Sequence, residues 1–238
     1  MAEKPPALLF DLDGTLVETL PDLCAATNFI LRKHGLAAID ENQIRGMIGG
    51  GVRQILQHAL ANYDIHFAPE KLDNEVEELI ANYHDHIADQ SHIFDHVLPI
   101  LDRAQKANIK LAIVTNKRYA LAKHLLATLG VQDYFPVIIG GDTLPTRKPD
   151  KAMLVEAINQ LDADPKKTIM IGDSEADILA ANAANIKCVC VRFGYRQIST
   201  EEMQKKGALL IDNYKQLPQL LTHINPVFAP LQFEGQAE

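Results

Sequence analysis

The sequence predicts an α/β protein with a doubly wound, mostly parallel sheet of the Rossmann type and a helical cap inserted after the first strand. Short, fully apolar runs are typical of parallel strands that helices cover on both faces. Helical patterns separate the later runs, and this alternation of strand and helix indicates a doubly wound sheet. The interval 16–93 contains no such run and shows apolar residues at helical spacing instead, which indicates the inserted cap.

The predicted strands are the apolar runs at residues 7–10, 111–114, 137–139, 169–171, 188–191 and 208–211. The predicted helices of the core lie at residues 97–107, 119–129, 151–161 and 175–184. Gly130 follows the second of these helices, where glycine is typical of a C-terminal cap. Cys188 and Cys190 alternate with other residues in one apolar run, and we expect their side chains on opposite faces of a strand.

These elements divide the chain into three parts. We interpret residues 1–15 and 94–225 as the α/β core and residues 16–93 as the helical cap. Residues 226–238 lack a clear pattern, so we expect a loose C-terminal tail.

Composition restricts the class of partner and the compartment. The 238 residues include 23 basic and 31 acidic side chains, a net charge of −8, which argues against a broad nucleic-acid surface. No run approaches the roughly 18 apolar residues of a membrane span, and the first residues do not resemble a signal peptide. The three cysteines favour reduced thiols over a disulfide framework. We therefore expect a cytoplasmic protein with no membrane or nucleic-acid partner, either a monomer or a homodimer.

Polar side chains follow several of the predicted strands. Asp11 and Asp13 come after the first strand, Thr115 after the second and Asp173 after the fourth, while the loop after the third strand contains Lys148. Ligands of open parallel sheets bind beyond the carboxyl ends of the strands. The sequence therefore predicts that these residues meet at one rim of the sheet.

The chemistry of this predicted cluster favours phosphoryl transfer. Asp11, Asp13 and Asp173 would repel one another unless a cation neutralised them, and oxygen-only ligands suit Mg²⁺. A carboxylate can attack phosphorus and form an aspartyl phosphate, provided that Mg²⁺ and Lys148 offset the repulsion between two anions. Residues i and i+2 of an extended chain share a side, so Asp13 can face the same pocket and act as general acid and base.

The same residues carry a family resemblance. The run Asp11-Leu12-Asp13-Gly14-Thr15-Leu16 resembles the first motif of the haloacid dehalogenase-like phosphatases. Thr115 resembles the second motif, Lys148 the third, and Gly172-Asp173-Ser174-Glu175-Ala176-Asp177 the fourth. Their order and the helical cap between the first and second motifs match as well. The resemblance covers roughly residues 7 to 222 and implies a Mg²⁺-dependent phosphatase.

The resemblance also implies a role for each matched residue. Asp11 would be the nucleophile and a Mg²⁺ ligand, Asp13 the general acid and base, and Lys148 the bridge between nucleophile and phosphate. The backbone carbonyl of Asp13 would also bind the metal. The remaining implied roles are phosphate binding by Thr115 and the backbone of Asn116, and metal binding by Asp173. Asp177 would not bind the metal itself but would orient Lys148 or metal-bound water.

Flanking residues refine the resemblance toward a substrate. Residues 115–117, 140–145, 147–150 and 193–195 resemble those of bacterial phosphoglycolate phosphatases, which implies that 2-phosphoglycolate is the small phosphorylated metabolite. In the cap, Gly50, Gly51 and Arg53 form either a flexible turn between helices or a substrate-specificity loop. In the second case, we expect Arg53 to pair with a substrate carboxylate.

Several alternatives to a phosphoglycolate phosphatase stay open at this point. The chain could hydrolyse a sugar phosphate or a nucleotide, or it could be a phosphomutase similar to β-phosphoglucomutase. A non-catalytic phosphate-sensing module is an alternative of a different class. Asp13 argues against the sensor, because a sensor needs no general acid and base.

Overall fold

The computed structural model describes residues 3–195 and 199–232. Its main feature is a six-stranded sheet in which all neighbouring strands run parallel. The strands of this sheet are β1 (Ala7–Phe10), β4 (Lys110–Val114), β5 (Val137–Ile139), β6 (Thr168–Gly172), β7 (Lys187–Val191) and β8 (Leu209–Ile211). Their spatial order is β5-β4-β1-β6-β7-β8, so the doubly wound α/β fold predicted from the sequence is confirmed.

Helices cover both faces of this sheet. Successive residues of β1 point to opposite sides: Leu8 and Phe10 belong to one buried apolar cluster, and Ala7 and Leu9 belong to the other. All four of these side chains are fully buried, as expected for a central parallel strand. The covering helices are α5 (Val97–Lys106), α6 (Tyr119–Thr128), α7 (Ala152–Gln160), α8 (Glu175–Ala183), α9 (Thr200–Lys205) and α10 (Leu217–Ile224).

A helical insertion separates β1 from the rest of the sheet. Its helices are α1 (Leu20–Lys33), α2 (Glu41–Arg45), α3 (Val52–Ala61) and α4 (Pro69–Asp85). The chain enters and leaves it through a short antiparallel pair, β2 (Val17–Glu18) and β3 (His92–Ile93), which we call the neck. Asp22 strengthens the neck, because its carboxylate accepts hydrogen bonds from the backbone amides of Gln90 and Ser91.

The C-terminal segment differs from its prediction as a loose tail. Residues Pro226–Leu231 form a 3-10 helix, and Phe228 and Leu231 are fully buried in the larger apolar cluster. The expectation is therefore wrong for residues 226–232, because two apolar side chains anchor the segment. The predicted tail also includes residues 233–238, which lie outside the described residues.

The prediction for the cysteine pair is also wrong. Cys188 and Cys190 lie on the same face of β7, with their Sγ atoms 3.7 Å apart, and both belong to one apolar cluster. Residues two apart in a strand share a face, which is the physical reason for the correction. Within the described residues, no helix combines the length and apolar character needed to cross a membrane.

Candidate active site

The carboxyl ends of three adjacent strands form the base of the candidate site. Asp11 follows β1, Thr115 follows β4 and Asp173 follows β6, and β1 lies between the other two strands. These three residues line a cavity of about 160 Å³ together with Asp13 and Lys148. The structure thus brings together the five residues that the sequence assigns to one rim of the sheet.

Three buried carboxylates form a tight acidic cluster, and two of them, Asp11 and Asp173, line the cavity. One oxygen from each of Asp11, Asp173 and Asp177 lies within 4.8 Å of the other two. Burial raises the pKa of Asp11 to about 6, although the charge of Lys148 opposes this shift. The pKa of Asp173 is raised to about 8, mainly because the side chain is buried and also because of the negative charges of Asp11 and Asp177. Lys148 therefore offsets only part of the negative charge in the cluster.

Lys148 lies between two of these carboxylates. Its Nζ atom is 2.8 Å from Oδ1 of Asp11 and 2.7 Å from Oδ1 of Asp177. Burial disfavours the charged ammonium, but the two carboxylates outweigh it and raise the pKa of Lys148 above its ordinary value. The Lys148 side chain therefore carries a fixed positive charge beside Asp11.

Asp177 reaches Lys148 from the first turn of α8. Its Oδ2 atom accepts hydrogen bonds from the backbone amide of Ser174 at 3.0 Å, the Ser174 hydroxyl at 2.6 Å and the backbone amide of Asp173 at 3.3 Å. Both oxygens of Asp177 are thus occupied by donors from the protein. This arrangement orients Lys148 and the Asp173 backbone.

Backbone groups and glycines fix the side chain of Asp173. Its Oδ2 atom accepts a hydrogen bond from the backbone amide of Tyr195 at 2.7 Å. A Cβ atom at Gly194 would lie 2.2 Å from Cβ of Asp173, and one at Gly14 would lie 2.9 Å from Oδ2. Gly14 also has a φ of +79°, a conformation that favours glycine. Any larger residue at these two positions would displace Asp173.

Asp13 lies at the side of the cavity and is held through one oxygen. Its Oδ1 atom accepts hydrogen bonds from the Thr19 hydroxyl and from Nζ of Lys117, both at 2.7 Å. Among the described residues, Oδ2 of Asp13 has no hydrogen-bond partner. Sequence reasoning missed Lys117. Its position two residues after Thr115, in the same strand-end loop, was the available signal.

The side chain of Asn116 joins two loops around the cavity. Its amide nitrogen donates to the backbone carbonyl oxygens of Gly49 and Lys148, each at 3.1 Å. Its Oδ1 atom accepts from the backbone amide of Lys148, also at 3.1 Å. Asn116 therefore holds the Lys148 loop in place.

The inserted helices close the cavity from the opposite side. Gly50, Gly51 and Arg53 all line it, and Gly51 precedes α3 with a φ of +86°. Arg53 forms an ion pair with Asp73 of α4, and its side chain is 43% exposed. Arg147, which sequence reasoning also missed, lines the same cavity. The site therefore offers arginine side chains near a group of carboxylates and a buried lysine.

Comparison with known proteins shows which family this chain resembles. Residues 8–191 match the model of the haloacid dehalogenase-like hydrolases. A phosphoglycolate phosphatase from Nitrosococcus oceani is 36% identical over 82% of this chain and 87% of its own length. One from Xanthomonas campestris pv. campestris is 37% identical over 90% of this chain and 95% of its own length.

A solved structure agrees with these relatives. The crystal structure of a predicted phosphoglycolate phosphatase from Haemophilus somnus superposes with a TM-score of 0.83 and 27% sequence identity. The superposition covers 91% of this chain and 97% of that chain. Because the family model matches most of the chain and these relatives align over most of their own length, the chain belongs to the haloacid dehalogenase-like hydrolase family.

Proposed function

We propose that this protein is a Mg²⁺-dependent phosphatase that hydrolyses 2-phosphoglycolate to glycolate and inorganic phosphate. The contact between Lys148 and Asp11 in a buried cluster of carboxylates carries the proposal, because it pairs a nucleophile with the cation needed to approach a phosphate dianion. The relatives named phosphoglycolate phosphatases support the choice of substrate.

Asp11 is the nucleophile in this proposal. One of its carboxylate oxygens attacks phosphorus, the bond from phosphorus to the ester oxygen breaks, and an aspartyl phosphate results. Lys148 stabilises the negative charge that collects on the phosphoryl oxygens. Its contact with Asp177 keeps the ammonium beside Asp11 before substrate arrives.

Asp13 is the general acid and base. In the first half of the reaction its proton passes to the leaving ester oxygen. In the second half it takes a proton from the water that attacks phosphorus and releases Asp11. Oδ1 of Asp13 is bound by Thr19 and Lys117, so Oδ2 is the oxygen available for these transfers.

The donor set fits a magnesium ion. Asp11 and Asp173 are buried close to each other, and the pKa values of both are raised. A hard divalent cation would neutralise the negative charge of the two carboxylates. Asp11, Asp173 and the backbone carbonyl of Asp13 would hold the ion, while Asp177 is occupied by other donors. When bound, Mg²⁺ would offset charge on the transferring phosphoryl group.

The remaining residues of the cavity would recognise the substrate. Thr115 and the backbone of Asn116 would bind the phosphate, because both lie at the end of β4 beside Asp11. Gly50, Gly51 and Arg53 would contact the leaving group. The cavity of about 160 Å³ lies below the roughly 300–1,000 Å³ of pockets for drug-sized ligands, which favours a small ester over a nucleotide.

Phosphate release from a panel of esters tests this proposal. The panel contains 2-phosphoglycolate, ethyl phosphate, sugar phosphates and nucleoside monophosphates, each assayed with Mg²⁺ and with EDTA. We expect the highest kcat/KM for 2-phosphoglycolate and loss of turnover in EDTA. Asp11→Asn keeps the shape of the side chain but removes the nucleophilic oxygen, so it should fold and show no turnover. Near-native activity of that variant would contradict the assignment of Asp11.

A further inference from the structure

A buried chain of polar groups links the inserted helices to Asp13. Lys117 Nζ donates to Oδ1 of Asp13 at 2.7 Å and to the Tyr83 hydroxyl at 2.8 Å. The Lys117 side chain is 3% exposed, and Tyr83 is fully buried. Because Tyr83 belongs to α4 and Lys117 follows β4, the chain crosses from the insertion to the sheet.

Stability alone does not account for a lysine in this position. A buried ion pair loses hydration energy that its Coulomb attraction often only balances, so apolar packing would serve as well for folding. Lys117 also has its ammonium 4.7 Å from the centre of the Tyr83 ring, a cation–π distance. Two oxygens and an aromatic ring thus define where this charge lies.

The backbone of Lys117 is fixed as firmly as its side chain. Its amide donates to the Thr115 hydroxyl at 3.2 Å, and its carbonyl accepts from the backbone amide of Gly141 at 2.7 Å. The Lys117 ammonium therefore reaches Asp13 from a rigid strand end, while Tyr83 completes its coordination from α4.

We propose that Lys117 is a positioning residue for Asp13 and that Tyr83 fixes Lys117 when α4 packs against the sheet. The inference rests on the proposed role of Asp13 as general acid and base. Lys117 and Thr19 both bind Oδ1, which holds the carboxyl group in one orientation and leaves Oδ2 for proton transfer. The acid and base is then fully aligned only while the inserted helices lie on the core.

The choice of substrate separates this role from a structural one. The leaving group of 2-phosphoglycolate is the strongly basic alkoxide of glycolate, which needs a proton from Asp13. The leaving group of p-nitrophenyl phosphate is p-nitrophenolate, which is weakly basic and leaves without a proton. Hydrolysis of the aspartyl phosphate needs Asp13 as a base with either substrate. A variant with a misaligned Asp13 should therefore still be phosphorylated by p-nitrophenyl phosphate but should lose the phosphate slowly.

The test compares Lys117→Met with the wild-type protein on both substrates. For 2-phosphoglycolate we expect kcat to fall about 100-fold, the lower end of general acid–base effects, with little change in KM. For p-nitrophenyl phosphate we expect a rapid burst of about one nitrophenol per site, followed by slow turnover. Equal slowing on both substrates without a burst, or unchanged kcat, would overturn the inference.

A milder variant keeps the inference testable if Lys117→Met does not fold. Tyr83→Phe removes one hydroxyl from the ammonium and keeps the ring, so kcat for 2-phosphoglycolate should fall about tenfold, as for one hydrogen bond to a charged group. If kcat is unchanged in Tyr83→Phe, the Tyr83 hydroxyl does not help to position Lys117. If the wild-type protein releases no phosphate from any ester, the proposed function itself is wrong. If the wild-type protein is active and both variants have the same kcat as the wild type, only this inference is wrong.

Discussion

The ammonium of Lys148 lies 2.7 Å from Oδ1 of Asp177, and both side chains are buried. The two residues are 29 positions apart in the chain, and the family resemblance left open whether Asp177 orients Lys148 or metal-bound water. In the structure, Asp177 acts through Lys148, because its two oxygens are taken up by Lys148 and by donors at the start of α8.

Asp177→Asn should reduce activity without abolishing it. The amide keeps the size of the side chain but removes the negative charge that holds Lys148, so kcat should fall about 10–100-fold, as for supporting residues around metal sites. Steady-state kinetics across a Mg²⁺ titration checks this. Asp133→Asn, an exposed site before β5, serves as the matched control and should behave as wild type. Equal effects of the two changes would contradict this role of Asp177.

The free energy of unfolding of the metal-free protein should decrease as pH rises. The folded state raises the pKa of Asp11 from 3.8 to about 6 and that of Asp173 from 3.8 to about 8. Between pH 3.8 and pH 8 the unfolded chain therefore binds fewer protons at these groups than the folded chain, so their contribution to stability falls across this window. Thermal unfolding in EDTA at several pH values measures the effect.

Magnesium should reverse that loss. A cation that binds deprotonated carboxylates stabilises the folded state more at pH 8 than at pH 5. We expect the Mg²⁺-induced rise in Tm to be larger at pH 8, and we expect Asp173→Asn to reduce it. A rise in Tm that is independent of pH would contradict the assignment of Asp11 and Asp173 as ligands.

Gly194→Ala should weaken metal binding through a steric clash. The added Cβ would lie 2.2 Å from Cβ of Asp173, so that side chain must move away from the Tyr195 amide. We expect the Mg²⁺ concentration for half-maximal activity to rise about 10-fold or more. Gly46→Ala is the control, because no atom lies within 4 Å of its added Cβ. A normal Mg²⁺ requirement in Gly194→Ala would show that the loop moves instead.

Arg53→Ala should affect substrates that carry a carboxylate. If the guanidinium binds the carboxylate of 2-phosphoglycolate, KM should rise about tenfold for this substrate, as for one hydrogen bond between charged groups. KM for ethyl phosphate, which lacks the carboxylate, should change little. Arg32→Ala, an exposed change on α1, controls for loss of a positive charge. The same KM shift for both esters would refute carboxylate recognition by Arg53.

Local patterns in the sequence were enough to predict the sheet and the acidic residues. Fully buried parallel strands are short apolar runs, and three of these runs lead directly into Asp11, Thr115 and Asp173 of the site. Asp11 and Asp173 could be placed together because the carboxyl ends of parallel strands share one edge. The prediction for the cysteines failed because it applied the wrong spacing for a strand face.

Contacts between distant parts of the chain could not be predicted in the same way. Tyr83 lies at a core position of an amphipathic helix, and only the packing of α4 shows that its hydroxyl meets Lys117. The Tyr195 hydroxyl accepts a hydrogen bond from the backbone amide of Thr19, although the two residues are 176 positions apart in the sequence. The segment Pro226–Leu231 was missed because two prolines interrupt its apolar pattern.

The neck gives this protein a modular architecture. Val17 and Ile93 face each other across the neck, so the chain leaves the sheet and returns to it at neighbouring points. An insertion of another length could be grafted between them while the six parallel strands kept their register. The substrate preference could then change while the catalytic residues of the sheet stayed the same. Each new insertion would have to supply a hydroxyl group that binds the Lys117 ammonium, as Tyr83 does here.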